Sequence, residues 1–121
     1  MIPEHFKQLI QKLSEKTKAQ CAHWTRTSGE NEYKLQLNGG EVITIDKWLD
    51  KRQNYRVEML VYNTESEIVD RLTFTEHDQE FVVLDQFYDV VRRSFFKVDS
   101  TFQKIIQEID NQDNVGFKPV T

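Results

Sequence analysis

The spacing of apolar residues changes twice along this chain, and that change constrains the fold more than any other feature. Near the N-terminus apolar side chains recur every three or four residues, the spacing of one face of an α-helix. Between about residues 33 and 74 they alternate with polar residues, as in a β-strand. Helical spacing returns from about residue 81. We therefore predict helices at both ends and a sheet between them.

The central segment predicts four strands in an antiparallel meander. Alternation covers residues 33–37, 41–47, 55–62 and 68–74. The connections between these runs are short, and short connections join neighbouring antiparallel strands. Asn38-Gly39 predicts a type I′ turn, which needs positive φ at both central residues. The pattern leaves open which sheet face the helices cover; if they cover the face that carries Tyr55, Val57, Met59 and Val61, the opposite face is left to solvent or a partner.

Three helices are predicted, near residues 3–20, 78–96 and 100–110. Thr75 and Asp99 are candidate N-caps for the second and third helices. The run 81–84 could instead be a buried strand, but the helical period continues through Phe95, which favours a helix. Trp24 is expected in the core, with its N–H bonded to a partner. The remaining expected core residues are Phe6, Leu9, Leu13, Leu35, Ile43, Val57, Met59, Phe74, Leu84, Val91 and Ile105.

The predicted fold class is therefore α+β: an N-terminal helix, a four-stranded antiparallel meander and two C-terminal helices, in two layers. A chain of 121 residues fits one domain. We assign residues 1–110 to that domain and residues 111–121 to a polar C-terminal tail. No apolar run suggests a signal peptide or a membrane span, so we expect a cytoplasmic protein without membrane contact. The single cysteine, Cys21, fits a reducing compartment.

No pattern in the sequence predicts catalysis, so we expect neither an enzyme nor a bound metal or cofactor. His5, His23, His77 and Cys21 lack the spacing of a zinc site, which needs three or four protein ligands. A reactive Cys21 would need a lowered pKa and a base within reach, and spacing indicates neither. The carboxylates fall largely on polar helix faces, and no glycine-rich loop opens a helix.

Basic residues near aromatic side chains raise the alternative of a nucleic-acid binder. They form two groups, Lys47, Lys51, Arg52 and Arg56 near Trp48, and Arg92, Arg93 and Lys97 at a helix end. Cations in the last turn of a helix also complement its dipole. The net charge of −4 argues against a nucleic-acid partner.

A candidate interaction surface lies on the sheet face opposite the helices. We predict that Trp48, Arg56, Leu60, Tyr62 and Arg71 form it, because aromatic and arginine side chains dominate interface energetics. The partner would be another protein or a second copy of the chain. Two alternatives remain: these groups are ordinary exposed residues, or a helix or the tail covers them. A pocket between sheet and helices, where His77, Tyr88 and Arg92 converge, would instead indicate a small-molecule binder or enzyme.

Three short segments within this layout carry a resemblance. They are His23-Trp24-Thr25-Arg26-Thr27, Tyr33-Lys34-Leu35-Gln36-Leu37 and Asp89-Val90-Val91-Arg92-Arg93. With the helix before them and the meander between them, the chain resembles a diffuse class of small bacterial proteins, many of which accompany mobile or accessory genes. The resemblance implies an accessory or interaction role and assigns no catalytic residue.

Overall fold

The computed structural model describes residues 1–117 and 119 of this chain. It is an α+β structure in which a helix precedes an antiparallel sheet and two helices follow it. The elements are α1 (Glu4–Lys18), β1 (Thr25–Arg26), β2 (Tyr33–Gln36), β3 (Val42–Leu49), β4 (Tyr55–Tyr62), β5 (Ile68–Thr75), α2 (Phe81–Phe95) and α3 (Val98–Asn111).

Within the described residues the sheet has five strands, in the spatial order β1-β2-β3-β4-β5, all antiparallel. The prediction of an antiparallel meander is confirmed, but the predicted count of four strands is wrong. The additional strand is β1, in which Thr25 pairs with Lys34 and Arg26 with Tyr33. Two residues are too few to display an alternating pattern, so sequence periodicity could not reveal this strand.

The hydrophobic core lies between one sheet face and the first two helices. Val57 and Met59 of β4 are fully buried there, and Leu84 and Val91 of α2 are equally inaccessible. Val57 and Met59, predicted in the core, are therefore confirmed there, and the structure settles that the helices cover their face of the sheet. Trp24 is also buried, and its indole Nε1 donates to the Thr17 hydroxyl at 3.0 Å.

The three hairpins between β2 and β5 share one loop geometry. The loops are residues 38–40, 51–53 and 64–66, each flanked by a backbone-bonded pair of residues. The third residue of each loop has positive φ: Gly40 (100°), Gln53 (65°) and Ser66 (64°). The N–H of that residue donates to the carbonyl three positions earlier, at 3.0, 3.0 and 3.1 Å respectively. The type I′ turn predicted at Asn38-Gly39 is wrong, because neither residue has positive φ. These are three-residue loops that end in a left-handed residue.

Both predicted N-caps have other roles in the structure. Thr75 ends β5, and its N–H donates to the Asp78 carboxylate at 2.8 Å, so Asp78 closes a turn and α2 begins only at Phe81. The 81–84 segment is helical, as the period predicted. Asp99 lies inside the first turn of α3 and binds Arg93 at 2.9 Å.

Helix α3 does not cover the sheet, which corrects the prediction that the helices pack together on one face. No residue of α3 is buried, and its contacts within the chain are mainly with α2. Ile105, predicted in the core, is 49% exposed, whereas Leu9 and Phe74 are half-buried against the core. Lys97 adopts a left-handed conformation (φ 52°), which separates α3 from the end of α2.

The C-terminal segment begins where α3 ends, at Asn111. Residues 112–117 form no helix or strand and are exposed. The rest of the predicted tail includes Lys118, Val120 and Thr121, which lie outside the described residues.

Candidate interaction surfaces

The sheet face opposite α1 and α2, here called the outer sheet face, brings the five predicted interaction residues onto one surface. Strand register places Trp48 beside Arg56 and Leu60 beside Arg71. Tyr62 follows Leu60 by two positions on β4, so it points to the same face. The sequence prediction therefore assigned these side chains to one face correctly, because a strand's period of two fixes the alternation.

Leu60 is not the exposed apolar anchor that the sequence suggested. Its side chain is only 9% exposed although it lies outside the core cluster, between Thr44 and Arg71 in neighbouring strands. Thr44 is only 5% exposed, and within the described residues its hydroxyl has no hydrogen-bond partner. Trp48 and Tyr62 are half-buried. A partner on this face would therefore gain little new apolar burial at its centre.

The arginines of the outer sheet face already have acidic neighbours. Arg56 Nε lies 2.9 Å from Asp50 Oδ2, and Arg71 Nε lies 4.0 Å from Glu58 Oε2. Asp50 also accepts from the N–H groups of Arg52 and Asn54. The backbone bond from Asn54, followed by the bond from Arg56, holds the pKa of Asp50 below its usual value. Binding to either arginine must therefore compete with a group already in place.

The outer sheet face also carries carboxylates directly opposite each other. Asp46 on β3 pairs in register with Glu58 on β4. Partial burial, with the charges of Glu32 and Glu58, raises the pKa of Asp46 above its usual value. This face is therefore a mixed, charged surface, and covering it would require removing water from several ionised groups.

Helix α3 presents a different kind of surface. Four large apolar side chains, here called the α3 stripe, lie along one side of it: Phe102, Ile105, Ile106 and Ile109. Each is between 49% and 60% exposed. The i, i+3, i+4, i+7 spacing is typical of an apolar helix face that packs against another surface. Of these four residues, the sequence prediction placed Ile105 in the core.

The histidines and the cysteine do not assemble a metal site within the described residues. No group of three or more potential His, Cys, Asp or Glu ligands occurs there. His5 instead binds Asp70 at 2.7 Å and lowers the pKa of that carboxyl, while His77 bonds to Asn54 Oδ1 at 3.2 Å. Cys21 is exposed. No helix of the described segments is both long and apolar enough to cross a membrane.

The basic residues are largely engaged with acidic ones. Lys47 lies 2.7 Å from Asp85, and Arg92 lies 3.1 Å from Asp89. With the Arg56 and Arg93 pairs described above, four of the seven cations considered for nucleic acid take part in ion pairs. Such pairing lowers the positive potential available to a phosphate backbone.

The centre of the layer between sheet and helices is filled, and a cleft lined by Lys47, Tyr55 and Tyr88 opens only at its edge. Ile45 and Phe87 occupy it from opposite sides and are almost fully buried. His77, Tyr88 and Arg92 make their hydrogen bonds with three different groups; the Tyr88 hydroxyl donates to the Asn31 carbonyl at 2.8 Å. Burial raises the pKa of Tyr88 well above its usual value, so its hydroxyl stays protonated. The Tyr88 bond therefore connects α2 to the β1–β2 connection, whereas Arg92 bonds within its own helix.

The described residues form an α+β structure with an antiparallel five-stranded meander and an amphipathic C-terminal helix that buries none of its residues. No protein-family model, curated protein or solved structure significantly matches the chain.

Proposed function

We propose that this chain is a non-enzymatic protein-interaction domain of the cytoplasm, and that it binds its partner through the α3 stripe. The observation that carries the proposal is that α3 is amphipathic, yet none of its residues is buried. Exposed contiguous apolar surface is characteristic of binding sites. An apolar helix face is also a recurrent element of peptide and protein recognition.

The rest of the molecule supports an interaction role over the alternatives. The centre of the layer between sheet and helices is occupied by fully buried side chains such as Val57 and Leu84, which gives a small-molecule site there little support. The outer sheet face is less suited than α3, because Leu60 is already shielded and the surrounding charges would have to be desolvated.

Site-specific photo-crosslinking in cells that produce the protein would test this proposal. A photoreactive residue placed at Ile105, on the α3 stripe, should give discrete protein adducts. Gln107 provides the matched control, since it is exposed on the opposite side of the same helix. We expect adducts at position 105 that are absent or much weaker at position 107. Equal labelling at both positions, or no adduct at position 105, would contradict the proposal.

A further inference from the structure

We infer that Asp70 and Asp78 close the β5 edge of the sheet, so that no further strand can pair with it. This closure is independent of the proposed role of α3. The two edge strands differ in length, since β1 has two residues and β5 has eight. An edge strand presents unpaired N–H and C=O groups to any extended chain, and a long one presents more of them. The β5 edge is therefore the one at which unwanted pairing has to be prevented.

The hydrogen bond that ends the β4–β5 ladder shows which backbone groups of β5 point away from the sheet. The Glu76 N–H donates to the Tyr55 carbonyl at 2.9 Å, so these two residues face each other as a hydrogen-bonded pair. Such pairs recur at every second residue of an antiparallel ladder. Along the β4–β5 register the even-numbered residues of β5 therefore bond to β4. The N–H and C=O groups of Arg71, Thr73 and Thr75 point outward.

Two of these three outward N–H groups are bonded to carboxylates. The Arg71 N–H donates to Asp70 Oδ1 at 2.8 Å, and the Thr75 N–H donates to Asp78 Oδ2 at 2.8 Å. A further strand would need both N–H groups as donors, and its own carbonyl oxygens would approach the two carboxylates. Pairing would therefore break two hydrogen bonds to charged acceptors, which are stronger than bonds between neutral groups. Among the described residues, only the Thr73 N–H between them is left without an acceptor.

Asp70 is held at this edge from the side of α1. Its second oxygen, Oδ2, lies 2.7 Å from His5 Nε2. The bond with His5, followed by the bond from the Arg71 N–H, holds the pKa of Asp70 below its usual value, so the carboxylate is ionised at neutral pH. Asp70 shares the covered face of the sheet with Leu72, two positions along the strand. An inward-pointing charge on an edge strand opposes pairing, because a second strand would bury it.

A β-bulge adds a further obstacle at the start of β5. The register shifts between Val61 and Tyr62, opposite the residues that precede Asp70. Bulges increase the local twist of a strand and interrupt its regular spacing of donors and acceptors. Ile68 and Val69 beside the bulge are 46% and 57% exposed. Exposed β-branched residues on an open edge are typical of strands that aggregate, so closure of this edge has a physical consequence.

Amide hydrogen exchange followed by NMR tests the outward direction of these groups. After correction for intrinsic rates, the Thr73 amide of the wild-type chain should exchange at least about tenfold faster than those of Leu72 and Phe74, which donate to β4. Asp70→Ala should raise the exchange rate of the Arg71 amide at least about fivefold, because it removes the acceptor. A Thr73 amide as slow as its neighbours, or an unchanged Arg71 amide in Asp70→Ala, would overturn the inference.

Sedimentation equilibrium tests what the two carboxylates prevent. Asp70→Ala/Asp78→Ala should associate at concentrations at least about tenfold lower than wild type, within about 5–500 µM. The single variant Asp70→Ala, which leaves the Asp78 turn intact, should change in the same direction. Glu15→Ala/Glu65→Ala is the matched control, since it removes two negative charges from exposed residues outside β5. Circular dichroism would confirm that the variants fold. Wild-type association of Asp70→Ala, or an equal increase in the control, would contradict closure by these carboxylates.

A proline at the centre of the edge shows whether the new association uses β5. Thr73→Pro removes the outward N–H without removing a bond of the β4–β5 ladder. Added to Asp70→Ala/Asp78→Ala, or to Asp70→Ala alone, it should return association to the wild-type level. Association that persists in the proline variants would mean that the chains meet at another surface, and the inference would then be wrong.

Discussion

Two residues of the meander adopt a backbone conformation that their side chains disfavour. Gln53 and Ser66 have φ near +65°, at the same loop position that Gly40 occupies in the first hairpin. An L-residue in the left-handed region pays roughly 1–2 kcal/mol relative to right-handed conformations, a cost that glycine avoids. The hydrogen bond each residue donates through its N–H involves only the backbone, so glycine would retain it.

Gln53→Gly should therefore stabilise the protein by about 0.5–1 kcal/mol, after allowing for the larger chain entropy of glycine in the unfolded state. Urea unfolding of the two proteins would measure the difference. Gly40→Ala is the reciprocal control and should destabilise, since it forces φ of 100° on alanine and places a Cβ 3.3 Å from Thr64 Cγ2. A loss of stability in Gln53→Gly would show that the Gln53 side chain makes a stabilising contact in solution.

Helix α3 contains no buried residue. Every other helix, and every strand of at least four residues, contains at least one. Helices α1 and α2 each have four buried residues, which lie along one side and pack into the core. Helix α3 has an apolar side of the same kind, but that side is not packed into the core. The helix is attached to the rest of the chain by the exposed Arg93–Asp99 ion pair and by contacts near the end of α2. Its hydrophobic side is therefore available to a partner without any rearrangement of the core.

Removing α3 should leave the domain folded. A chain ending at Lys97 should lose less than about 1 kcal/mol of unfolding free energy, because the exposed Arg93–Asp99 pair contributes about 0.2–1 kcal/mol at most. Urea denaturation of both proteins at low micromolar concentration would measure this loss. Full-length Ile105→Asp is the control for the stripe alone and should be as stable as wild type. A loss above about 2 kcal/mol on truncation would mean that α3 packs on the domain in solution.

At the scale of the whole molecule, Trp24 connects several elements. Its indole donates to Thr17 in the last turns of α1, and its ring lies edge-on to Phe87 of α2 at 6.1 Å. Trp24 also immediately precedes β1, so it anchors this two-residue edge strand. Burial of an aromatic ring at such a junction links the helical layer to the edge of the sheet.

Trp24→Ala should cost about 3–5 kcal/mol, as for other buried aromatic truncations. Trp24→Phe should cost less, because it retains most of the ring and loses mainly the hydrogen bond to Thr17, about 1 kcal/mol. Trp48→Ala, which removes a half-buried tryptophan from the outer sheet face, should cost less than about 2 kcal/mol. Chemical denaturation of the three variants would establish the order, and a loss under about 1 kcal/mol for Trp24→Ala would contradict the anchoring role.

The sequence by itself determined the features that depend on local periodicity. The period of two placed Val57 and Met59 on one sheet face and Leu60 and Tyr62 on the other. The period of 3.6 located all three helices to within a few residues. The length of the helical pattern also distinguished a helix from a strand at residues 81–84. Each of these follows from how a regular backbone orients successive side chains.

Only the tertiary structure decided which apolar surfaces are covered. The helical period predicts that the α3 stripe is buried, but it does not identify the surface that would bury it. Helices α1 and α2 already occupy the covered face of the sheet, so α3 does not pack there. The strand pairing of Thr25 with Lys34, the shielding of Leu60 and the left-handed break at Lys97 likewise depend on residues distant in sequence or on backbone conformation. Burial is a property of neighbours in space, whereas a sequence pattern records only neighbours along the chain.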